Sequence, residues 1–300
     1  MYRIVFLMQF IIFTFDFQTA VYYIHFTMKE DPGYPSIIYG TAWKEDQTKN
    51  LVLQALESGY RALDTANQRK HYNERSAGDA VQEWLKKGNS RTDIFLQSKF
   101  THVSGQDSRL PYNPGDPVKQ QVIDSFESSL KNFHTDFLDS YLIHGPSSPS
   151  TLTKEDIEIW KTMEELHSSG RIRSIGISNV NLNQLKFLYN IAEIKPMSVQ
   201  NRCFAVRGWD RDIRNYCLDN NIHYQGFSLL TANRHIFQHP LISSIAERSN
   251  KSEAQVIFRF SVNMGMTVLT GTTDRDHMKQ DLELNDIDIS AEEMKIIEGK

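Results

Sequence analysis

The sequence predicts an α/β fold, a single-domain (β/α)8 TIM barrel spanning residues 28–300. Strand-like and helix-like stretches alternate from Pro35 onward, as they do around a parallel sheet. Eight such pairs follow one another without a linker, and eight is the number that closes a barrel. An open doubly wound sheet is the alternative. It usually carries a GxGxxG turn after its first strand, whereas that turn here reads YGTAWKED (39–46).

The first half of the chain contains four predicted strands, at 36–40, 61–64, 94–100 and 137–144. The helix between the first two strands has Leu51, Val52, Ala55 and Leu56 on one face and ends at Gly59. A second helix is predicted over 73–87. The loop 101–117, rich in Gly, Pro and Ser, leads to a third helix with apolar residues at steps of four and three: Val118, Val122, Phe126, Leu130 and Phe133.

The second half repeats the alternation. Its strands are predicted at 172–178, 198–201, 223–228 and 267–271, and its helices at 182–192, 211–219 and 252–264. The helix before the fifth strand begins with Thr153 and Asp156 in capping-box spacing, and Ser252 and Gln255 repeat that spacing. A longer connection follows the seventh strand, and a last helix is predicted to start near Asp274.

Composition argues against a nucleic-acid-binding protein and against a disulfide-stabilised one. The net charge of −4 over 300 residues gives no electrostatic basis for a nucleic-acid partner. Cys203 and Cys217 are the only cysteines, too few for a disulfide framework and without metal-ligand spacing. This usage predicts a reducing compartment, and we expect a cytoplasmic protein.

The first 27 residues differ from the rest of the chain. Their apolar run VFLMQFIIFTF (5–15) is too short to span a bilayer, and Asp16 interrupts it. A signal-peptide core is one interpretation, although Gln18 stands where a small residue is preferred. We interpret residues 1–27 as an upstream extension and Met28 as the natural start. A membrane partner is expected only if the apolar run is a true part of the protein.

Polar side chains gather where the predicted strands end. Asp64, Lys99 and His144 end the second, third and fourth strands, and Tyr72 precedes the second helix. In a barrel these strand ends share one face, where active sites lie. An ammonium group beside a phenol favours the phenolate and lowers the phenol pKa. We therefore predict general acid catalysis on a carbonyl. Tyr72 is the acid, Lys99 is held by Asp64, and His144 orients the oxygen.

Reduction of a carbonyl also needs a hydride, which a cofactor must supply. Asn179 and Gln200 carry amides that suit the carboxamide of a nicotinamide, and Phe227 could stack on its ring. The segment Gly271, Thr272 and Thr273 is predicted to open the last helix, where backbone N–H groups and the helix dipole suit a phosphate.

Eight short motifs occur in a fixed order after Met28: GTAW (40–43), GYRALDTA (59–66), NE (73–74), SKF (98–100), LIHGP (142–146), IGISN (175–179), VQN (199–201) and GFS (226–228). With these motifs the chain resembles the aldo-keto reductase family. The resemblance implies a (β/α)8 barrel and NAD(P)H-dependent reduction of aldehydes, ketones or sugar-like carbonyls, or the reverse oxidation of an alcohol.

The resemblance also assigns roles by position. Asp64, Lys99 and His144 match the catalytic Asp, Lys and His of the family. The cofactor-binding positions fall on three groups of residues. They are Gly40, Thr41, Ala42 and Asp64 near the first two strands; Ser178, Asn179 and Gln200, which match the binders of the nicotinamide amide; and Phe227, Ser228 and Leu230, which match the stacking aromatic and positions near the pyrophosphate.

Two departures from the family pattern affect these roles. Four residues usually separate the catalytic Asp from the Tyr, whereas seven separate Asp64 from Tyr72. Counting back from the NE motif by the family spacing instead reaches His71. We predict Tyr72 as the acid, because the chemistry needs a phenol beside Lys99 and this loop has no other tyrosine.

The second departure lies in the segment TGTTDRDHM (270–278), where the family often binds the 2′-phosphate of NADPH with a lysine and an arginine. Gly271 replaces the lysine, and His277 falls near the place of the arginine. Arg275 or Lys279 could compensate. We predict NADPH as the cofactor, with NADH possible.

Two other function classes remain to be compared. A nucleotide-binding regulatory or scaffold protein with little turnover would use the same barrel, and the altered Asp64–Tyr72 loop motivates it. A metal-dependent hydrolase needs several converging ligands, but His144 is the only histidine that ends a predicted strand. We predict no metal site, and the sequence makes no prediction about oligomeric state.

Overall fold

A computed structural model describes residues 34–299 of the chain. The described barrel belongs to one compact unit, Pro35–Lys300. The interpretation of residues 1–27, and the boundary predicted at Met28, lie outside the described residues.

Eight parallel strands form a closed barrel in sequence order, and the last strand pairs with the first. This arrangement confirms the (β/α)8 prediction and excludes the open sheet. The strands are β1 Ile37–Gly40, β2 Ala62–Asp64, β3 Phe95–Phe100, β4 Ser140–Ile143, β5 Ile175–Ser178, β6 Ser198–Arg202, β7 His223–Phe227 and β8 Met266–Thr270.

The α-helices follow the strands and bury their apolar faces against the barrel. They are α1 Thr48–Ser58, α2 Glu74–Leu85, α3 Val118–Phe133, α4 Lys154–Ser168, α5 Leu182–Ile191, α6 Arg211–Asp219, α7 Pro240–Ser249, α8 Glu253–Asn263, α9 Arg275–Gln280 and α10 Ala291–Glu298.

Local sequence signals explain most of the helix ends. Gly59 ends α1 with a φ of 117°, a left-handed conformation that glycine adopts easily. The capping boxes predicted at the starts of α4 and α8 are both present. The structure corrects two other predictions. Helix α7 occupies the stretch interpreted as a connection, and α10 follows the helix predicted to be the last.

Candidate active site

The carboxyl ends of β2 and β3 bring Asp64 and Lys99 into direct contact. Lys99 Nζ lies 2.6 Å from Asp64 Oδ1 and also donates to the Thr65 carbonyl at 2.8 Å. Both side chains of the pair are buried. Burial lowers the pKa of Lys99, while the neighbouring Asp64 carboxylate opposes that shift. Removing only one partner of such a buried ion pair destabilises a protein strongly, because the other charge stays buried without a counter-ion.

Glutamine side chains inside the barrel support this ion pair. Asp64 Oδ1 accepts hydrogen bonds from Gln97 Nε2 at 2.7 Å and from Gln200 Nε2 at 3.0 Å. Gln97 and Gln225 exchange two amide hydrogen bonds, and Gln200 also donates to Gln225 Oε1 at 2.7 Å. Sequence reasoning missed Gln97 and Gln225. The available signal was the period of two, because Gln97 precedes Lys99 by two positions and must face the same side of its strand.

The loop before α2 places Tyr72 beside Lys99. The Tyr72 ring centre lies 5.4 Å from Lys99 Nζ and 5.8 Å from the ring centre of His144. The extra loop length forms a turn in which the N–H groups of His71 and Tyr72 both donate to the Gln68 carbonyl, at 3.3 and 3.0 Å. The loop therefore bends enough to bring the phenol to the lysine.

His71, the position that the family spacing indicates, contacts a different partner. Its ring lies 3.9 Å from the ring of Trp43, and its carbonyl accepts the Trp43 N–H at 2.8 Å. Trp43 is 71% exposed, so this aromatic pair lies at the surface. The structure thus brings the Tyr72 ring to the buried lysine and packs the His71 ring against Trp43 at an interplanar angle of 38°.

The expectation that Lys99 lowers the pKa of Tyr72 is wrong. The pKa of Tyr72 lies above its ordinary value, because burial disfavours the phenolate and the Asp64 carboxylate adds repulsion. The positive charge of Lys99 is already paired with Asp64, so the phenol meets little net positive charge. Tyr72 therefore remains a protonated hydrogen-bond donor near neutral pH.

His144 follows β4 and is a neutral imidazole. Burial, with smaller contributions from Lys99 and His71, lowers the pKa of His144 to about 3. Its Nδ1 lies 2.7 Å from Thr101 Oγ1, and its carbonyl accepts a hydrogen bond from Asn179 Nδ2 at 2.8 Å. An uncharged ring that is fixed at Nδ1 can interact with a substrate oxygen through Nε2.

The predicted amide binders lie together at the ends of β5 and β6. Ser178 Oγ donates to the Gln200 carbonyl at 2.7 Å, so its hydroxyl proton is already used. Asn179 has a left-handed φ of 54°, and its Nδ2 contacts Ser178 Oγ at 3.1 Å. Asn179 is the exposed member of this group, and since its Nδ2 already donates to the His144 carbonyl and to Ser178 Oγ, its Oδ1 is the amide atom that remains for a ligand.

The strand ends β1 and β7 hold the next predicted positions. Gly40 pairs with Asp64 in the sheet, and Thr41 donates twice to the Asp64 carbonyl, from its N–H and its hydroxyl, both at 3.0 Å. Thr41 therefore fixes the backbone of Asp64. At the end of β7, Phe227 is partly exposed, and Ser228 Oγ accepts a hydrogen bond from Arg202 Nε at 3.2 Å. Ala42 and Leu230 are partly buried nearby in sequence.

The predicted phosphate site at the start of the last helix needs a correction. Gly271, Thr272 and Thr273 precede the helix and do not open it, because α9 begins at Arg275 with Asp274 as its N-cap. Asp274 Oδ1 accepts the N–H groups of Asp276 and His277, at 2.8 and 3.0 Å. A carboxylate thus occupies the helix terminus that a phosphate would need. Cofactor contact by Gly271, Thr272, Thr273 and His277 stays a prediction.

Lys44, which sequence reasoning missed, places a cation beside this segment. It is 5% exposed, and its Nζ donates to the Gly271 carbonyl at 2.7 Å. Within residues 34–299 no carboxylate forms an ion pair with it, and burial lowers the pKa of Lys44 to about 8. A Cβ atom added to Gly271 would lie 3.6 Å from this ammonium. The available signal was its position directly after the GTAW motif.

Arg275 and Lys279, either of which could compensate for Gly271, are both exposed, and cofactor contact by either one stays a prediction. Arg275 lies 3.8 Å from Glu57, and Lys279 lies 3.8 Å from Asp276. Across residues 34–299, no group of three or more His, Cys, Asp or Glu side chains is arranged to hold a metal ion. No helix in this part of the chain is long and apolar enough to cross a membrane.

Comparisons with known proteins agree with this architecture. A sequence profile of the aldo/keto reductase family matches residues 36–235. An uncharacterized oxidoreductase of Bacillus subtilis (strain 168), YtbE, is 31% identical over 251 residues, which cover 83% of this chain and 82% of that protein. A glyoxal reductase of the same organism is 30% identical over 254 residues, which cover 85% and 83%.

Solved structures show the same likeness. The aldo-keto reductase MGS-M4, from a Medee basin deep-sea metagenome library, matches with a TM-score of 0.75 and 26% identity, covering 89% of this chain and 93% of its own. The aldose reductase of Schistosoma japonicum gives a TM-score of 0.74 and 26% identity over 88% and 87%. By sequence and by fold, the chain belongs to the aldo/keto reductase family of NAD(P)H-dependent oxidoreductases.

Proposed function

We propose that this enzyme reduces a small aldehyde, ketone or sugar-like carbonyl with NADPH, and that Tyr72 is its general acid. The observation that carries the proposal is the position of Tyr72, whose ring centre lies 5.4 Å from Lys99 Nζ and 5.8 Å from the His144 ring. The similarity to a glyoxal reductase supports a small carbonyl as substrate. Two free, buried cysteines suit the reducing cytoplasm that we propose as its location.

Each side chain of the site has its own role in transferring a proton to the carbonyl oxygen. A bound nicotinamide dinucleotide supplies the hydride. Tyr72 donates a hydrogen bond to the oxygen and releases its proton as negative charge develops there, because an alkoxide is a stronger base than a phenolate. Asp64 holds Lys99 in place, with its ammonium nitrogen 5.4 Å from the centre of the Tyr72 ring, so a cation lies beside the ring while the proton is on the substrate. In the reverse direction the same groups accept the proton of an alcohol.

The strand ends fit a dinucleotide along one face of the barrel. The exposed Asn179 offers its amide oxygen to the nicotinamide carboxamide, and the partly exposed Phe227 offers a ring for stacking. We propose that Lys44 binds a phosphate of the dinucleotide, because its buried ammonium donates to a backbone carbonyl and lies 5.0 Å from the Tyr39 ring centre, and no carboxylate of residues 34–299 pairs with it. A cation here would take the role of the family lysine whose position Gly271 occupies. This supports NADPH as the cofactor, and NADH stays the alternative.

Replacing Lys44 with Met should weaken NADPH binding about tenfold to a hundredfold, the usual range for a hydrogen bond to a charged group. Fluorescence titration of NADPH and NADH measures both affinities. A larger loss for NADPH indicates contact with the 2′-phosphate, and an equal loss indicates the pyrophosphate. Lys119 is an exposed lysine of α3 that pairs with Glu165, and its Lys119→Met variant is the control, which should bind both cofactors like the wild type. Unchanged affinity in Lys44→Met would remove Lys44 from the site.

The same lysine predicts how binding varies with pH. Its pKa is about 8 in the free protein, and a bound phosphate raises that pKa by favouring the ammonium form. Dinucleotide affinity should therefore be constant below about pH 8 and fall as the pH rises further. This fall should be absent in Lys44→Met. Titration at several pH values in both proteins checks the prediction.

The function itself is tested with the purified full chain. NADPH and NADH are titrated first, and the oxidation of each is then followed with a panel of aldehydes, ketones and sugars that includes glyoxal. Binding with carbonyl-dependent turnover supports the reductase. Binding without turnover on any carbonyl supports the regulatory or scaffold function, which the altered loop first motivated.

A further inference from the structure

We infer that Thr101 is a positioning residue that fixes the tautomer of His144, so that Nε2 carries the ring proton and donates to the substrate oxygen. The inference deepens the proposed function and rests on it for its consequence in catalysis. Thr101 follows β3 directly and is 5% exposed. Its Oγ1 lies 2.7 Å from His144 Nδ1.

The direction of this hydrogen bond follows from counting protons. A neutral imidazole carries one N–H, and a threonine hydroxyl carries one O–H that needs an acceptor. Among the described residues, His144 Nδ1 is the one hydrogen-bond partner of Thr101 Oγ1. If Nδ1 carried the proton, the buried hydroxyl hydrogen would have no acceptor, which is unfavourable. If the hydroxyl donates to Nδ1, both groups are satisfied, and the ring proton must be on Nε2.

The residues around Thr101 hold its side chain in this orientation. Its carbonyl accepts hydrogen bonds from Tyr112 Oη at 2.6 Å and from Gln106 Nε2 at 3.4 Å. Gly105 leaves space for its methyl group, since a Cβ atom added there would lie 2.8 Å from Thr101 Cγ2. Hydrogen bonds thus hold the backbone of Thr101, and Gly105 leaves room for the rotamer whose hydroxyl reaches His144.

The tautomer of His144 determines which groups can donate hydrogen bonds to a substrate carbonyl oxygen. With the proton on Nε2, the oxygen can accept two hydrogen bonds, one from His144 and one from Tyr72. With the proton on Nδ1, the lone pair of Nε2 would repel the oxygen and would compete for the Tyr72 hydroxyl proton. Thr101 therefore favours the arrangement in which both donors act on the substrate.

Two variants separate the hydroxyl from the shape of the side chain. Thr101→Val has nearly the same volume but no hydroxyl, and Thr101→Ser keeps the hydroxyl. Nitrogen NMR of full-length protein with labelled histidine reads the tautomer of His144, whose signals are identified by their loss in His144→Gln. The wild type and Thr101→Ser should show the proton on Nε2. Thr101→Val should show a mixture of the two tautomers.

Kinetics supply the second readout. Thr101→Val should lower kcat about tenfold while NADPH affinity stays unchanged, and Thr101→Ser should restore most of the loss. A wild-type proton on Nδ1, or an unchanged tautomer in Thr101→Val, would overturn the inference. If the wild-type protein reduces no carbonyl but its NMR spectrum shows Nε2–H, the proposed function fails while the role of Thr101 in fixing the ring stands.

Discussion

Tyr72→Phe should reduce carbonyl turnover by about 10²- to 10⁴-fold, the contribution that a positioned general acid makes. Phenylalanine keeps the ring that lies 5.8 Å from His144, so the variant loses the acidic hydroxyl and little else. Cofactor affinity should stay within a few-fold of the wild type, because no predicted cofactor contact involves the hydroxyl. Steady-state kcat and a fluorescence titration of NADPH measure the two quantities on the same preparation.

His71→Phe is the matched control, because His71 is the neighbouring residue that the family spacing would select. Its ring packs against Trp43, and phenylalanine can keep that contact. Turnover in this variant should remain close to that of the wild type. Full activity in Tyr72→Phe, combined with a large loss in His71→Phe, would show that Tyr72 is not the acid and would point to His71 instead.

Lys99→Met should destabilise the protein by about 3–5 kcal/mol, the range seen when one partner of a buried ion pair is removed. Asp64 is 1% exposed, so its charge would stay in the interior without a counter-ion. Gln97 and Gln200 would still donate to it but carry no charge. Urea denaturation gives the free energy of unfolding, and carbonyl turnover should be lost as well.

Two further proteins make this test specific. In Asp64→Asn combined with Lys99→Met both charges are absent, and part of the stability should return. Lys49→Met breaks an exposed pair with Glu83, 2.9 Å apart, and should leave the unfolding free energy close to that of the wild type. A Lys99→Met variant as stable as the wild type would show that the 2.6 Å contact is not a stabilising ion pair.

The barrel was predictable because its signal is repetitive. Alternating strands and helices, each with its own period, identify the buried faces without knowledge of tertiary contacts. The starts of β4 and β5 were predicted too early, at 137 and 172, whereas the strands begin at Ser140 and Ile175. Residues 137–139 are apolar in part but contribute only the isolated bridge from Leu138 to Ile172. Helix α10 was missed although Ser290 and Glu293 form a capping box, a signal present in the sequence.

The site was predictable to the extent that barrel geometry decides it. Asp64, Lys99 and His144 end neighbouring strands, so a closed barrel must bring them to one face. The pKa of Tyr72 could not be predicted, because it depends on how deeply the phenol is buried. Lys44 was missed for a similar reason. A lysine in a polar loop is ordinary until the fold buries it against the Gly271 carbonyl.

The turn that closes on the Gln68 carbonyl takes up the extra residues of this loop, so the position of Tyr72 does not depend on the loop length alone. A motif search that requires a fixed number of residues after Asp64 would not find Tyr72, the proposed proton donor. A spatial template, with an ammonium nitrogen 5.4 Å from a tyrosine ring centre, would retain it. Relatives that are classified as inactive from motif spacing alone should therefore be compared again by structure, because an insertion of this kind can leave the tyrosine beside the lysine.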